Sequence, residues 1–257
     1  MTTFLKTILE TKREEVKRLG RRKSEFSGGR SDARRAFTEA LNKKPALAII
    51  AEVKKASPSK GVIRPDFKPA DIARRYEDGG ADAVSVLTDE KFFQGSSAHL
   101  TAVRSAIGLP VLRKDFIIDP IQVQETAAIN ADAMLLIAAA LSDGQMQELY
   151  EACREMDIEP LIEIHSPREL ERALRLSPGL LGVNNRDLET FEVSLETTFK
   201  IRPYIPKECV VVSESGISTP AHTERLMKAG VHAALIGEAL MRTQDAAALI
   251  KELKHAR

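Results

Sequence analysis

Short apolar segments recur eight times along the 257-residue chain, and amphipathic stretches of helix length separate them. Continuous apolar runs of this kind are typical of parallel strands buried on both faces, and the intervening helices supply the right-handed crossovers that parallel pairing requires. Eight strand–helix units in about 250 residues predict an α/β fold, the (β/α)₈ or TIM barrel. The apolar segments begin near Leu47, Ala83, Pro110, Ala133, Glu159, Leu180, Val210 and Ala233.

The amphipathic stretches carry recognisable start and stop signals. Proline stands at or near the first turn of "PADIARRYEDG", "PIQVQETAAIN", "SPRELERALRL" and "TPAHTERLMKAG", and three of these stretches end on glycine or asparagine. Proline is favoured at the start of a helix and glycine or asparagine just after its end. An open doubly wound sheet is the alternative fold, but no G-x-G-x-x-G motif follows the first apolar segment.

A leader segment precedes the first apolar run, and its pattern predicts a helix. Residues 20–35, "GRRKSEFSGGRSDARR", follow it and have the composition of a mobile linker. We expect a single barrel domain over residues 1–257, with residues 1–45 forming an N-terminal helical extension. The apolar residues at helical spacing in the leader are Phe4, Leu5, Ile8, Leu9, Val16 and Leu19.

Charge and cysteine content restrict the function classes. The formal net charge is +1, so no basic excess favours nucleic acid or an acidic membrane surface as a partner. No continuous apolar stretch of the sequence approaches the length that a membrane-spanning helix requires. Cys153 and Cys209 lie far apart without metal-ligand spacing, so we expect buried free thiols in a reducing cytoplasm. The expected partner is a small molecule, and the expected state is a monomer.

Polar residues stand where the predicted strands end. In a barrel of parallel strands all carboxyl ends share one face, and barrel enzymes place their active sites there. A polar residue at one strand end is ordinary, because ion pairs cap many cores, but polar residues at six strand ends predict a catalytic cluster. They are Glu52 with Lys54, Ser85, Lys114, Glu163, Asn184, and Glu214 with Ser215.

Two glycine-containing loops predict an anion site. "SESGI" follows the seventh apolar segment, and "IGEALM" follows the eighth and opens a short helix. Glycine lets backbone N–H groups approach an anion, and barrels often bind phosphate with this pair of loops. Gly216, Gly237 and Glu238 are therefore the predicted phosphate-binding residues, and the ammonium of Lys54 is expected to share the anion.

Neither the histidines nor the remaining motifs indicate a metal, flavin or nicotinamide site, so no cofactor is expected. His165 is the one histidine near a strand end, two residues after Glu163. We expect a loop or supporting role for His165 rather than catalysis, because "SPREL" opens the next helix directly after it.

Seven segments, in this order, resemble the indole-3-glycerol-phosphate synthase family of tryptophan biosynthesis: "IIAEVKKASPSKG", "VSVLTDEKFFQGS", "LPVLRKDFIIDPIQ", "PLIEIH", "GVNNRDLETF", "VSESGI" and "LIGEALMR". The likeness covers nearly the whole chain, and the leader helix is similar to the family's N-terminal extension. It implies closure of the indole ring of 1-(2-carboxyphenylamino)-1-deoxyribulose 5-phosphate, with release of carbon dioxide and water. The cationic nitrogen formed at ring closure serves as electron sink, so the resemblance implies no cofactor.

The resemblance also implies roles for the charged residues, matched motif by motif. Lys114 is expected to be the acid for ring closure, and Glu163 an acid–base partner in dehydration. Lys54 is expected to bind phosphate and to deliver a proton, although the sequence leaves open which lysine acts at which step. Glu52 and Glu214 are expected to keep the lysines charged and to bind sugar hydroxyls.

The other implied site residues, including Asn184 and Ser215 of the catalytic cluster, are expected to contact the substrate. Asn184 and Ser215 are expected to form hydrogen bonds with it, and Arg186 to contact phosphate or to brace its loop. The aromatic end of the substrate requires an apolar pocket. The competing interpretation of the candidate residues is that they pack in the core and do not contact the substrate. The candidates there are Phe93, Phe116, Leu135, Leu188 and Pro58, with Ser57 and Ser85 as further substrate contacts.

Three other functions remain open at this point. A phosphoribosyl isomerase shares the phosphate loops but does not require Lys114 and Glu163 together with an apolar pocket. A Schiff-base aldolase would use one of the two strand-end lysines as nucleophile. A catalytically inactive phosphate-binding scaffold would have no reason to retain the acid–base cluster.

Overall fold

A computed structural model describes residues 3–42 and 46–254, in which eight parallel strands close into a barrel. Closure is visible at the first strand, where Ile50 pairs with Ala83 on one side and Ala48 with Ala233 on the other. This architecture confirms the (β/α)₈ barrel. The strands are β1 (Ala48–Val53), β2 (Ala83–Leu87), β3 (Val111–Lys114), β4 (Ala133–Ile137), β5 (Glu159–Ile164), β6 (Leu180–Asn184), β7 (Val210–Glu214) and β8 (Ala233–Ile236). We call the face formed by their carboxyl ends the mouth.

Helices surround the barrel and begin at the predicted signals. The helices after β1, β3, β5 and β7 have proline in their first turn, and Asn130 and Gly230 adopt left-handed backbone conformations after two of them. The helices are α1 (Thr3–Arg21), α2 (Phe37–Leu41), α3 (Pro69–Asp78), α4 (Glu90–Phe93), α5 (Ser97–Ala106), α6 (Pro120–Ala128), α7 (Asp143–Glu155), α8 (Pro167–Leu174), α9 (Glu196–Ile201), α10 (Pro220–Lys228), α11 (Glu238–Arg242) and α12 (Ala246–Lys254).

In the part of the chain that the structure describes, three short 3₁₀ helices and one hairpin accompany the barrel strands and the α-helices. The 3₁₀ helices span Lys23–Phe26, Ala138–Ala140 and Arg202–Tyr204. The hairpin pairs Ala56–Ser57 with Gly61–Val62 in the loop after β1. Within the two described ranges, no helix is both long enough and apolar enough to cross a membrane.

Most strand residues are apolar because both faces of the strands are buried, and the polar exceptions away from the strand ends, such as Arg113 in β3 and Ser213 in β7, are themselves buried. All six residues of β1 are buried, as are all five of β2 and of β4. One face packs inside the barrel and the other against the helices, so alternation with polar residues is absent. Polar side chains therefore concentrate at the strand ends.

The extension packs against both ends of the barrel. Leu5 and Leu9 of α1 are buried in the same apolar cluster as the barrel interior, and so are Phe37 and Leu41 of α2. The backbone N–H of Phe37 donates to the carboxylate of Glu159 at the amino end of β5, which places α2 at the end opposite the mouth. The predicted limit of the extension, residue 45, lies outside the described residues.

Residues 20–35 are not the mobile linker that their composition predicts, because residues 20 and 21 end α1, Lys23–Phe26 form a 3₁₀ helix, and residues 31–35 form hydrogen bonds with the barrel. Ser31 N and Asp32 N donate to Asn130 Oδ1 at 3.0 and 3.1 Å, and Arg35 N donates to Asp132 Oδ1 at 2.8 Å. Arg34 pairs with Asp157 at 2.8 Å. The prediction is wrong because these acceptors lie about 100 residues away in sequence, beyond what local composition reports.

Candidate active site

A cavity of about 660 Å³ opens at the mouth and gathers the predicted site residues. Because β1, β3, β5, β6 and β7 all end at this face, side chains from distant parts of the chain meet there. All the predicted site residues except Ser85 line the cavity. They are Glu52, Lys54, Ser57, Pro58, Phe93, Lys114, Phe116, Leu135, Glu163, Asn184, Arg186, Leu188, Glu214, Ser215, Gly216, Gly237 and Glu238.

Ser85 lies deeper in the barrel than its predicted contact with substrate requires. Its side chain is 0% exposed and is not part of the cavity wall. Strand β2 continues for two residues beyond it, to Leu87, which lines the cavity. Since residues two apart share a strand face, Leu87 occupies the position at the mouth that the sequence analysis gave to Ser85.

Lys114 stands at the centre of the charged part of the cavity. Its ammonium Nζ lies 2.6 Å from Glu163 Oε2 and 2.9 Å from Glu214 Oε2. The three groups come from β3, β5 and β7, so alternate strands deliver them to one level of the barrel. One cation thus serves two carboxylates in a largely buried site.

The cluster shifts the pKa of each of its members. Burial would lower the pKa of Lys114, but Glu163 and Glu214 outweigh it and hold that pKa above its usual range. Burial would raise the pKa of Glu163, but Lys114 and His165 lower it to about 2. Burial raises the pKa of Glu214 to about 7, because Lys114 offsets it only in part and Glu163 adds repulsion. At neutral pH Lys114 is an ammonium, Glu163 a carboxylate, and Glu214 exchanges its proton.

Gly182 makes room for this cluster, and sequence reasoning missed it. A Cβ atom on Gly182 would overlap Glu214 Oε1, the oxygen that has no hydrogen-bond partner within the described part of the chain. Strand β6 pairs with β7 in register, with Gly182 opposite Val212. The signal in the sequence was a glycine inside an apolar strand, which often marks close approach by another group.

Glu52 and Lys54 form a second charged pair at the end of β1. Lys54 Nζ donates to Glu52 Oε1, and Gly237 lies directly beside both. A Cβ on Gly237 would overlap Glu52 Oε1 and lie 2.9 Å from Lys54 Nζ. The glycine after β8 therefore lets the chain pass close to the pair.

The loop after β7 has an unusual backbone. Ser215 and Gly216 have positive φ angles of 70° and 80°, and a Cβ on Gly216 would lie 2.5 Å from Val193 Cγ1. Ser215 Oγ donates to Asn184 Oδ1 at 2.9 Å, and that oxygen also accepts the N–H of Arg186 at 3.0 Å. Two consecutive left-handed residues turn backbone N–H groups toward one side, which suits an anion.

Aromatic and aliphatic side chains form the other side of the cavity. The rings of Phe93 and Phe116 lie 6.2 Å apart at 38°, and we call these two residues the aromatic wall. Leader helix α1 contributes Phe4, Leu5 and Ile8 to the lining, which the sequence analysis did not assign to the site. In the sequence these residues belong to the apolar face of α1, and the sequence analysis interpreted that face as packing alone.

Arg186 and His165 support their neighbours. Arg186 Nη1 donates to Phe191 O at 3.2 Å, so it braces its own loop. His165 lies 3.4 Å from Glu163 Oε1 through Nε2 and 3.2 Å from Glu169 Oε2 through Nδ1. Burial would lower the pKa of His165, but Glu169 and Glu163 raise it. This position, behind a carboxylate of the cluster, is that of a supporting residue.

Metal ligation has no evident candidate in this region. Among the residues that the structure describes, no three His, Cys, Asp or Glu side chains are grouped so that they could hold a metal ion. The charged side chains at the mouth pair with one another instead: Glu52 with Lys54, and both Glu163 and Glu214 with Lys114. The arrangement can move protons and bind a phosphorylated molecule with an apolar end.

Solved structures with similar backbones share the barrel fold. A 3-hexulose-6-phosphate synthase superimposes with a TM-score of 0.64 at 15% identity, covering 82% of this chain and 99% of that one. An N-acetylmannosamine-6-phosphate 2-epimerase from Clostridium perfringens gives a TM-score of 0.62 at 14% identity, covering 81% and 92%. At such identities the similarity establishes the fold alone.

Sequence comparison identifies the family. The family model described as "Indole-3-glycerol phosphate synthase" matches residues 5–253. The protein of that name from Geobacillus sp. (strain WCH70) is 48% identical over 253 residues, covering 97% of this chain and 96% of the relative. Its namesake from Zymomonas mobilis subsp. pomaceae is 51% identical over 224 residues, covering 86% and 85%. With the fold and the cavity described above, these matches establish that the chain belongs to the indole-3-glycerol phosphate synthase family.

Proposed function

We propose a set of roles for the side chains at the mouth in the reaction of this family. As a member, the chain is a carboxy-lyase of tryptophan biosynthesis. The reaction converts 1-(2-carboxyphenylamino)-1-deoxyribulose 5-phosphate into indole-3-glycerol phosphate, carbon dioxide and water. One observation carries the proposal: a buried ammonium shared by two carboxylates faces a cavity that has an aromatic wall on one side and glycine loops on the other.

The substrate lies across the mouth in our proposal, with its phosphate at the loops after β7 and β8. Backbone N–H groups of Gly216, Gly237 and Glu238 bind the phosphate, and Lys54 adds a positive charge. The aromatic ring then lies against Phe93 and Phe116, with Leu135, Leu188 and Pro58 completing the pocket. Asn184 and Ser215, already joined by a hydrogen bond, face the middle of the substrate.

Lys114 acts as general acid in ring closure. The aromatic carbon that bears the carboxylate attacks the ketone carbon, and the ketone oxygen becomes an alkoxide unless it is protonated. An alkoxide is a stronger base than an amine, so Lys114 gives up a proton even with its raised pKa. Loss of carbon dioxide then returns electrons to the cationic nitrogen of the substrate.

Glu163 acts in dehydration. The hydroxyl group formed at ring closure leaves with a proton, and the neighbouring carbon loses a proton to a base. The lowered pKa of Glu163 keeps it ionised and able to accept that proton, and its contact with Lys114 gives a route for returning one to the leaving group. Glu52 and Glu214 hold the two lysines in place and bind sugar hydroxyls.

The Schiff-base alternative is disfavoured by the charge state of the lysine. A nucleophilic lysine must be a neutral amine, whereas its two carboxylates raise the pKa of Lys114 and keep it protonated. The isomerase alternative leaves the aromatic wall without a purpose. We accordingly expect no adduct when sodium borohydride is added during turnover and the protein is analysed by mass spectrometry.

The direct test of the activity is the fluorescence of the indole product, followed after mixing the protein with the anthranilate-derived substrate. An inactive scaffold would give no signal even though it binds phosphate. We also propose that the chain acts as one domain and as a monomer, because its own extension and barrel supply the cavity lining described above. The buried free thiols of Cys153 and Cys209 support a reducing cytoplasm as its location. The sedimentation coefficient of the protein, measured during turnover, tests the proposed monomeric state.

A further inference from the structure

We propose that Lys12 of α1 is a positioning residue that holds the aromatic wall in place and thereby sets affinity for the anthranilate end of the substrate. The inference rests on the proposed function, since it concerns the same cavity. Lys12 lines no part of that cavity itself, so it acts through the residues that do.

Lys12 forms a buried ionic contact between the leader and the barrel. Its side chain is 1% exposed, and Nζ lies 2.6 Å from Glu15 Oε2, 2.9 Å from Asp89 Oδ2 and 2.7 Å from Asp115 Oδ1. Asp89 precedes α4 in the loop after β2, and Asp115 directly follows Lys114 at the end of β3. One ammonium therefore joins three separate elements.

The two barrel carboxylates that contact Lys12 also hold the backbone of the aromatic wall. Asp89 Oδ1 accepts the N–H of Phe93 at 3.2 Å and caps the first turn of α4. Asp115 Oδ1 accepts the N–H of Phe116 at 2.8 Å. The positions of both rings thus depend on carboxylates that Lys12 neutralises and keeps together.

The same face of α1 that carries Lys12 also reaches the cavity. Ile8 precedes Lys12 by four residues and lines the cavity with Leu5, so one helix face carries a buried cation and the lining side chains. A lysine on the apolar face of a helix was the signal in the sequence. Its ion pairs with Asp89 and Asp115 add a specific contact to the apolar docking of α1, because a rotated helix would leave the buried ammonium without these carboxylates.

Removing the ammonium leaves Asp89 and Asp115 buried close to each other without their shared cation. Like charges in a buried site repel, and one buried carboxylate without a partner is strongly destabilising. Asp115 keeps Thr88 Oγ1 at 2.6 Å and Arg113 at 3.3 Å, so the barrel retains that residue. The rearrangement is therefore expected in α1, α4 and the aromatic wall, on the side of the mouth away from the phosphate loops.

The experiment uses two probes that report on opposite sides of the cavity. Anthranilate reports on the aromatic wall and inorganic phosphate on the loops after β7 and β8, each as a competitive inhibitor of indole formation. We expect Lys12→Met to weaken inhibition by anthranilate at least tenfold and to raise KM, while inhibition by phosphate changes less than twofold. Lys17→Met is the matched control, since Lys17 lies on the same helix, is 69% exposed and pairs only with Glu14 among the described residues.

Each outcome decides the proposal. Equal losses for both probes would mean general loosening of the site, and unchanged anthranilate inhibition would mean that Lys12 is irrelevant to the wall; either result overturns it. Should Lys12→Met not fold, Lys12→Arg keeps the charge with altered geometry, and we expect the same selective loss at smaller size. A wild-type protein that forms no indole would refute the proposed function instead, so the two failures are distinguishable.

Discussion

Two buried lysines, Lys12 and Lys114, meet carboxylates in similar ways but in different surroundings. Lys12 contacts three carboxylates and Lys114 contacts two, all within 2.9 Å. Lys12 lies on the buried face of the leader helix, whereas Lys114 faces the cavity. A charged cluster by itself therefore does not distinguish a catalytic site from a structural one.

The clusters differ in how one carboxylate of each is satisfied, Asp115 beside Lys12 and Glu214 beside Lys114. Asp89 Oδ2 in the Lys12 cluster also has no hydrogen bond among the described residues, but it forms an ion pair with Lys12 at 2.9 Å. Lys12, Arg113 and Thr88 surround Asp115, and although burial would raise its pKa, these contacts lower it. Glu214 has one buried oxygen without a partner in the described chain, and its pKa rises to about 7. A group that exchanges its proton near neutral pH is suited to acid–base chemistry. In our proposal, incomplete satisfaction of a carboxylate beside a cavity, rather than charge alone, distinguishes the catalytic cluster from the structural one.

The largest effect is expected for Lys114→Met. The substitution keeps length and apolar bulk but removes the proton and the charge. General acid catalysis contributes roughly 10²–10⁴-fold, so kcat for indole formation should fall by at least about 10²-fold. Lys17→Met should retain the wild-type rate. A Lys114→Met protein with more than about a tenth of wild-type kcat would refute the role of Lys114 as general acid.

Glu163→Gln should separate the two halves of the reaction. The amide keeps size and hydrogen bonding but does not exchange a proton at useful pH. Carbon dioxide should then appear before indole in a single turnover, with a ring-closed, non-indole intermediate between them. Rapid quench with both products quantified measures this order. If Glu163→Gln formed indole near the wild-type rate, the base in dehydration would be Glu214 or Glu52 instead. A raised KM with no change in the order of products would show that Glu163 only binds substrate.

Gly237→Val should affect binding rather than chemistry. The new side chain would overlap Glu52 Oε1 and displace Lys54, so the phosphate would lose charge-assisted contacts of about 2–3 kcal/mol and KM would rise accordingly. Gly179→Val is the control, because a Cβ at Gly179 meets nothing within 4 Å. Circular dichroism checks that both proteins fold. An unchanged KM in folded Gly237→Val would place the phosphate elsewhere.

Local features made the fold predictable. The strands begin within one residue of the predicted positions: β1 at Ala48 instead of Leu47, β3 at Val111 instead of Pro110, and the others where expected. Apolar runs and helix caps are properties of neighbouring residues, and parallel strands gather their ends at one face. The cluster at the mouth follows from those two facts.

Long-range geometry made the rest unpredictable. Ser85 lies too deep because the stagger of β2 against its neighbours decides which residue reaches the mouth. Gly182 has meaning only beside Glu214, which is 32 positions later in the printed sequence. Lys12 stands out in the sequence only as a lysine on the apolar face of a helix, and its role becomes evident when Asp89 and Asp115 are placed next to it.

The smallest effect is on stability as a function of pH, and it tests the comparison of the two lysine clusters directly. The pKa of Glu214 rises from 4.5 to about 7 on folding, so between these values the folded state retains a proton that the unfolded state has released. Stability must therefore fall as pH rises through this window. Each pKa unit is worth about 1.4 kcal/mol, and with water in the open cavity we expect a loss of about 2 kcal/mol.

Glu214→Gln cannot titrate, so the difference in Tm between wild type and this variant should shrink or reverse from pH 5 to pH 8, by roughly 4–8 °C. Asp115→Asn gives the contrast from the Lys12 cluster. The pKa of Asp115 is lowered, so the stability that this carboxylate contributes is lost only as pH falls below the usual range for aspartate. The difference in Tm between Asp115→Asn and wild type should therefore be constant between pH 5 and pH 8. Calorimetry of the three proteins measures both slopes. Parallel pH profiles for Glu214→Gln and wild type would show that Glu214 is as well satisfied as Asp115, and the physical distinction between the two clusters would then fail.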